Sequence, residues 1–250
     1  MIIDHPTEKD IPALRALWRE AFSDPDTFIE LFFTRGFAPE RSLTVKEGEK
    51  VLAALYWFDC AWEENESAYI YGVATKMEHR GKGLCNRLMD RLHRDMEKMG
   101  KSTVLVPVNE SLRAFYAQMG YRDFGGMEEA LYCPAGAPVA VERLSATDYM
   151  QKRKGLLPAG GIAQEGETLP FLEGMLTFYG GEGWLLAAYQ EEGKWICPEF
   201  LGDKALLSGI LKALDIPSAM VRIAGERPFA MYRPMHKEEK GPAYFAFALD

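Results

Sequence analysis

Apolar side chains return every three or four positions between residues 84 and 99. Leu84, Leu88, Leu92, Met96 and Met99 form one stripe, and Arg87, Arg91, Arg94 and Lys98 lie off it. This spacing predicts an amphipathic helix that Gly100 stops. Ile11, Leu14, Leu17 and Trp18 repeat the pattern, so residues 7–22 are expected to be a helix with Thr7 as N-cap and Asp10 at the third position. Ser23-Asp24-Pro25 breaks it, and a second helix is expected to about Phe33, ending at Gly36. Short apolar runs at 2–3, 43–46, 51–57, 69–75 and 103–106 read as strands, with a hairpin around Glu47-Gly48-Glu49-Lys50. A short helix over 109–119 and a strand region over 121–132 complete the first half.

Pro134-Ala135-Gly136-Ala137-Pro138 is the best candidate for a linker. Beyond it the pattern predicts a strand at 139–141, helices at 147–154 and 169–179, and a hairpin of 184–189 with 195–200. A helix at 204–214 and strands at 219–223, 229–232 and 244–249 follow. That order is the order of the first half, one strand and one helix short. The fold class is therefore α/β, with a mixed sheet over residues 1–134 and a pared-down copy of it over 138–250.

Composition adds exclusions. The chain has 250 residues, 48% of them apolar and 26% charged, with a net charge of −8. An acidic balance argues against a nucleic-acid backbone as partner, since that affinity rests on Lys and Arg meeting phosphates. No apolar run approaches the roughly 20 residues of a membrane span, and residues 1–4 lack a signal-peptide layout, so a cytoplasmic location is expected. Cys60, Cys85, Cys133 and Cys197 form no C-x-x-C pair and have no His at ligand spacing, so no metal is expected.

The chemistry concentrates in residues 73–83, V-A-T-K-M-E-H-R-G-K-G, where a strand runs into a glycine-punctuated turn that opens a helix. Backbone N–H groups at a helix N-terminus solvate a pyrophosphate. Gly81 and Gly83 remove the Cβ atoms that hold a phosphate away, and Arg80 and Lys82 add positive charge. A dinucleotide-binding turn does not fit. Asn86 stands in the third-glycine place, and the residue twenty after Gly83 is Thr103 rather than an acid. Some thirty residues on, Asn109-Glu110-Ser111-Leu112-Arg113-Ala114-Phe115-Tyr116 puts a phenol on a second helix.

A strand, then Arg-x-x-Gly-x-Gly-like turn, long helix, strand and N-x-x-A-x-x-x-Y is the pattern that residues 1–132 resemble, that of the GNAT superfamily of N-acetyltransferases. Cys85 fills a place usually held by Gly or Ala, Leu112 fills the Ala place, and Gly120-Tyr121 resembles the usual end of the second helix. The resemblance implies acetyl-coenzyme A (CoA) as acyl donor, bound by Val73, Ala74 and Thr75 of a splayed strand, by Arg80, Gly81, Lys82, Gly83, Leu84 and Cys85 of the loop, and by Asn109. It implies a small-molecule amine as acceptor and Tyr116 as general acid for the leaving thiolate. Cys85 reads as packing rather than as a nucleophile, although a thiol at a helix start can have a lowered pKa.

The base that deprotonates the ammonium is less legible. The resemblance implies that Glu30, Asp59 and Glu66 lie in elements bordering the acceptor side. It implies that Glu78 and His79, just before the loop, lie beside the phosphates and away from the amine. An ordered end over 244–250 would deliver the carboxylates of Asp250 to a cleft between halves, and water relays serve equally. The aromatic run Trp18, Phe22, Phe28, Phe32, Phe33 and Phe37 is mostly core, with one or two members selecting an acceptor with an apolar part. The second half has Leu201-Gly202-Asp203-Lys204 where the donor loop would be, so one donor site per chain is expected. Trp184 and Trp195 are candidates for an interface between halves or chains, and oligomeric state stays open. Glu173, Glu182 and Arg233 match no motif. Rival readings are an acyl-CoA sensor without turnover and transfer from an aminoacyl-tRNA.

Overall fold

The computed structural model describes residues 1–164, 166, 168–236 and 240–247. The first half runs β1 (Ile2–Asp4), α1 (Ile11–Phe22), α2 (Asp26–Leu31), β2 (Ser42–Glu47), β3 (Lys50–Trp62), β4 (Asn65–Thr75), α3 (Leu84–Met99), β5 (Ser102–Leu105), α4 (Glu110–Ala117) and β6 (Arg122–Tyr132). The second runs β7 (Glu142–Leu144), α5 (Ala146–Leu156), β8 (Ala163–Gln164), α6 (Thr168–Met175), β9 (Thr177–Gly181), β10 (Trp184–Glu191), β11 (Lys194–Leu201), α7 (Leu207–Ala213), β12 (Ala219–Ala224) and β13 (Arg227–Arg233).

Thr7 and Asp10 make the anticipated reciprocal cap, the Thr7 amide and hydroxyl donating to the Asp10 carboxylate at 2.7 and 2.9 Å. Four expectations need correcting. Met99 is 51% exposed, because it lies in the last turn of α3, and Met89 and His93 fill the stripe instead. Residues 177–179 are strand β9, not helix: after Gly174 the Thr-Phe-Tyr run has the branched and aromatic character that a half-buried strand favours. The strand after the linker is Glu142–Leu144, three residues late. Residues 244–247 are buried but join no ladder, making only an isolated bridge from Tyr244 to Gly161. With β9 in place the second half lacks only a counterpart of α4.

The sheet order is β1-β2-β3-β4-β5-β13-β6-β12-β11-β10-β9-β7, with β8 added beside β3. It reads alike from either end. The parallel pairs are β4–β5 and β11–β12, at mirrored positions, and the other neighbours along this order are antiparallel. The last strand of each half has crossed over. β13 lies against β5 of the first half, and β6 lies against β12 of the second. Neither half completes its sheet alone.

Three apolar clusters follow from this order. α3 covers one face of β2–β5, and α7 covers the corresponding face of β10–β12. The opposite face is a single core shared by both halves, where Trp18, Phe32, Phe58 and Tyr71 meet Phe171, Phe178, Phe245 and Phe247. Trp184 and Trp195 pack in the α7 cluster, inside the second half rather than at an interface between halves.

A charge pair is buried beneath this shared core. Arg153 of α5 binds Glu199 of β11 through Nε and Nη2, each at 2.8 Å, with both side chains essentially inaccessible. Tyr149 and Tyr244 donate their hydroxyls to the same carboxylate at 3.0 and 3.2 Å. Arg153 Nη1 donates to the Ile162 carbonyl at 2.9 Å, and its guanidinium lies 4.9 Å from the centre of the Phe247 ring. The quartet thus ties residues 244–247 to α5 and β11. Glu199→Ala would leave a buried guanidinium without its counter-charge and is expected to cost about 3–5 kcal/mol. Tyr244→Phe, which removes one hydrogen bond to a charged group, is expected to cost about 1.5–3 kcal/mol. Urea unfolding of both variants checks the ranking.

Candidate active site

β4 is paired with β3 along most of its length but with β5 only at Ser67, Ala68 and Tyr69, opposite Ser102, Thr103 and Val104. Beyond Tyr69 the two parallel strands part, and among the described residues no strand pairs with the β5-facing edge of residues 70–75. Backbone groups buried without partners are costly, so an opened ladder of this kind marks a place for a ligand.

A bulge lies along the same stretch. Ala54 pairs with Ala74 and Tyr56 with Tyr71, so β4 holds one residue more than β3. Gly72 takes φ +59°, and a Cβ there would lie 3.0 Å from both the Trp18 and Tyr56 rings. Both the backbone and the packing therefore require glycine. The bulge also resets the alternation: Tyr69, Tyr71 and Ala74 face the shared core, while Ala68, Ile70 and Val73 face α3. A glycine inside an apolar alternating run is the signal by which the sequence announces such a bulge.

The chain then turns toward α3. Arg80 Nε donates to the Thr75 carbonyl at 3.2 Å, and the Met77 amide donates to the Glu20 carboxylate of α1 at 2.6 Å. Glu20, absent from the sequence reading, thus ties the approach to the loop to α1. Gly81 and Gly83 both have φ +73°, and a Cβ on either would meet nothing within 4 Å. They are glycine for the handedness of the backbone, and the space above them is open. No side chain caps α3 at Gly83, whereas Asn109 caps α4 and Ser145 caps α5. A helix start leaves its first amides without intrahelical partners, and those of Leu84 and Cys85 border the open loop. This cradle fits a phosphate-bearing donor. His79 Nδ1, buried without a hydrogen-bond partner beside the loop, is a second feature of the kind.

Cys85 is half-buried, and burial pushes its thiol up to about 11, opposite to the lowering that a helix start can produce. The sulfur is protonated at neutral pH, consistent with a packing role. Asn109 Oδ1 accepts from the Leu112 amide at 2.9 Å, so its carbonyl is engaged as the helix cap. Tyr116 is buried in the α3-side cluster with Leu84, Leu105, Val73 and Cys85. Its ring stands edge-on to Phe115 at 5.3 Å and Tyr121 at 5.8 Å. The structure thus brings Tyr116 into one cluster with the splayed strand and the start of α3. Arg80, Gly81, Lys82, Gly83 and Asn109 line the exposed side.

The candidate bases fare differently. Glu30 accepts from Arg15 and Thr34, and those contacts hold its carboxyl below the usual range. Asp59 and Glu66 share Lys101, at 2.9 and 3.9 Å. Glu78 pairs with His79 Nε2 at 3.3 Å. Asp250 lies outside the described residues. Arg233, which matched no motif, donates to Glu97 at 2.9 Å and pins β13 to α3. Among the described residues no group of three His, Cys, Asp or Glu side chains is arranged to hold a metal ion, and no helix is long and apolar enough to cross a membrane.

Behind Tyr116 runs a buried polar thread. The Tyr121 hydroxyl lies 3.0 Å from His93 Nε2 and 2.8 Å from Thr103 Oγ1. Burial, reinforced by Arg233, pushes His93 down to about 4. An unfolded His titrates near 6.5, so the unfolded chain binds the extra proton first. The stability tied to a neutral His93 is complete above about pH 6.5 and is lost as pH falls toward 4, by about 3 kcal/mol. Urea midpoints measured across that window are expected to fall with pH, and His93→Gln to flatten the slope.

Residues 3–123 match the family described as Acetyltransferase (GNAT) domain. No curated protein matches the chain. A GCN5-related N-acetyltransferase from Anabaena variabilis superposes with a TM-score of 0.74 at 14% identity, over 94% of this chain and 73% of that one. A GCN5-related N-acetyltransferase from Kribbella flavida gives 0.68 at 16%, over 92% and 70%. A putative acetyltransferase from Pyrococcus horikoshii gives 0.67 at 15%, over 98% and 95%. At these identities the likeness is one of fold, and it extends through both halves.

Proposed function

Since residues 3–123 match the GNAT acetyltransferase domain, we propose that the protein transfers an acetyl group from acetyl-CoA to the amine of a small molecule. The observation that carries this reading is the opened edge of β4 leading directly into an uncapped, glycine-started helix. Residues 1–134 are taken as the donor-binding, catalytic half. Residues 138–250 are taken as a degenerate copy, whose mirrored place in the sheet supports the kinship and whose Leu201-Gly202-Asp203-Lys204 turn lacks the basic, two-glycine loop.

Acetyl-CoA supplies a thioester, an acyl carbon already activated toward amines. In this reading the amides at the start of α3, with Arg80 and Lys82, hold the pyrophosphate, and the free edge of Val73, Ala74 and Thr75 holds the pantetheine arm. The bond from amine nitrogen to acyl carbon forms as the carbon–sulfur bond breaks. Tyr116 gives its phenolic proton to the departing sulfur, the attacking nitrogen loses its surplus proton to solvent, and solvent returns a proton to the phenolate. Its burial keeps water from competing for that proton. The acidic net charge favours a cationic small molecule over a nucleic acid as partner.

Isothermal titration with acetyl-CoA, and thiol release over a panel of amines, test the reading. Tyr116→Phe is expected to lower kcat about 100-fold, with the acetyl-CoA Kd changed by no more than about two-fold. Equal rates for wild type and variant would remove Tyr116 from the chemistry.

A further inference from the structure

The turn that ends α4 folds the chain back against Tyr116. The Tyr116 carbonyl accepts the amides of Met119 and Tyr121, at 2.9 and 3.2 Å. Gly120 between them has φ +89°, the left-handed conformation that a reversal at a helix end requires. Tyr121 is thereby joined to Tyr116 through the main chain. Its ring also stands edge-on to the Tyr116 ring, with 5.8 Å between centres and 64° between planes.

The far end of Tyr121 is fixed as well. Its hydroxyl sits between His93 Nε2 of α3, at 3.0 Å, and Thr103 Oγ1 of β5, at 2.8 Å, and all three side chains are buried. A hydroxyl gives one proton and accepts others, so two partners hold both the oxygen and the ring that carries it. With its backbone bonded at one end and its oxygen at the other, the Tyr121 ring has little freedom to swing. Phe115, the other ring beside Tyr116, is half-buried and has no polar atom by which to be anchored. Of these two neighbours only Tyr121 refers Tyr116 to other elements, and those elements are α3 and β5, which frame the opened edge of β4.

Resting on the assignment of Tyr116 as the general acid, we propose that Tyr121, anchored by His93 and Thr103, is a positioning residue that aims the Tyr116 phenol at the thioester sulfur. Tyr121 takes no part in the proton transfer, since its own hydroxyl is spent on its two anchors. Its work is to narrow the arc through which the Tyr116 ring moves. Proton transfer needs donor and acceptor within hydrogen-bond reach, so a phenol that wanders is in place for only part of the time. Freeing Tyr121 therefore lowers the rate of the chemical step and leaves donor binding alone, because the loop and the β4 edge that hold the donor in this reading keep their own supports.

The test is a double-mutant cycle. Wild type, Tyr121→Phe, Tyr116→Phe and the double variant are compared by thiol release from acetyl-CoA, by titration with acetyl-CoA and by thermal unfolding. The amine is whichever of lysine, spermidine, ethanolamine and phenethylamine wild type turns over fastest, and rates are taken well below every Tm. Tyr121→Phe is expected to lower kcat about tenfold, with the acetyl-CoA Kd within about two-fold of wild type. In the Tyr116→Phe background the same change is expected to alter kcat by less than about two-fold, because no phenol is left to aim. Thr103→Val, which removes one anchor of the two, is expected to give a kcat between those of wild type and Tyr121→Phe. A merely structural role would lower Tm and depress the rate equally in both backgrounds. Equal losses in the two backgrounds, or an unchanged kcat in Tyr121→Phe, would overturn the inference and leave Tyr116 as the acid. Equal rates for wild type and Tyr116→Phe remove the acid and the inference together, as does a wild type inert toward all four amines.

Discussion

The site depends on how β5 is held. It has four residues, and three of them pair with β4 on one side while an overlapping three pair with β13 on the other. That double grip fixes β5 firmly enough for β4 to turn away from it after Tyr69 without the sheet coming apart. Were β5 an edge strand, its short ladder with β4 would be the weakest part of the sheet. The opened edge, the bulge at Gly72 and the approach to the glycine turn all lie downstream of that fixed point.

The grip on β5 comes from the other half of the chain. β13 follows α7 and β12, and it is anchored in turn by the ion pair from Arg233 to Glu97 on α3. Residues 244–247 reinforce the arrangement, with Phe245 edge-on to Tyr69 at 4.8 Å, at the last paired position before the strands part. The second half therefore supports the opened edge of β4 mechanically. The shared aromatic core supplies the cohesion, and the Arg153–Glu199 pair supplies directionality, since its two carboxylate oxygens accept only correctly placed donors.

Legibility in the sequence followed the range of the forces involved. The bounds of α3 were readable to the residue because its period, glycine stop and basic face are local. The glycine turn was readable because positive φ at Gly81 and Gly83 leaves a chemical trace. β9 was read as helix because a short apolar run has no period of its own, and only its pairing with β7 and β10 decides it. Residues 244–247 alternate like a strand, yet packing on both sides, not a ladder, explains their apolarity. Of the site, the loop and Tyr116 could be found from residue types. Gly72 leaves no more trace than an oddity within a strand, since its bulge is defined by pairing with β3. The strand exchange left no local trace at all.

That exchange has a consequence for how the protein comes into being. On the ribosome β5 emerges on the order of a hundred residues before β13, and until β13 arrives one side of β5 is an open edge. The nascent first half cannot finish its sheet, and a neighbouring copy's β13 offers the same hydrogen bonds as its own. Synthesis therefore poses a choice between closing within one chain and trading strands with another, a choice settled by the high local concentration of a tethered strand. The interval before closure is also when the opened edge of β4 is least supported, so the candidate site is complete only once β13 has arrived.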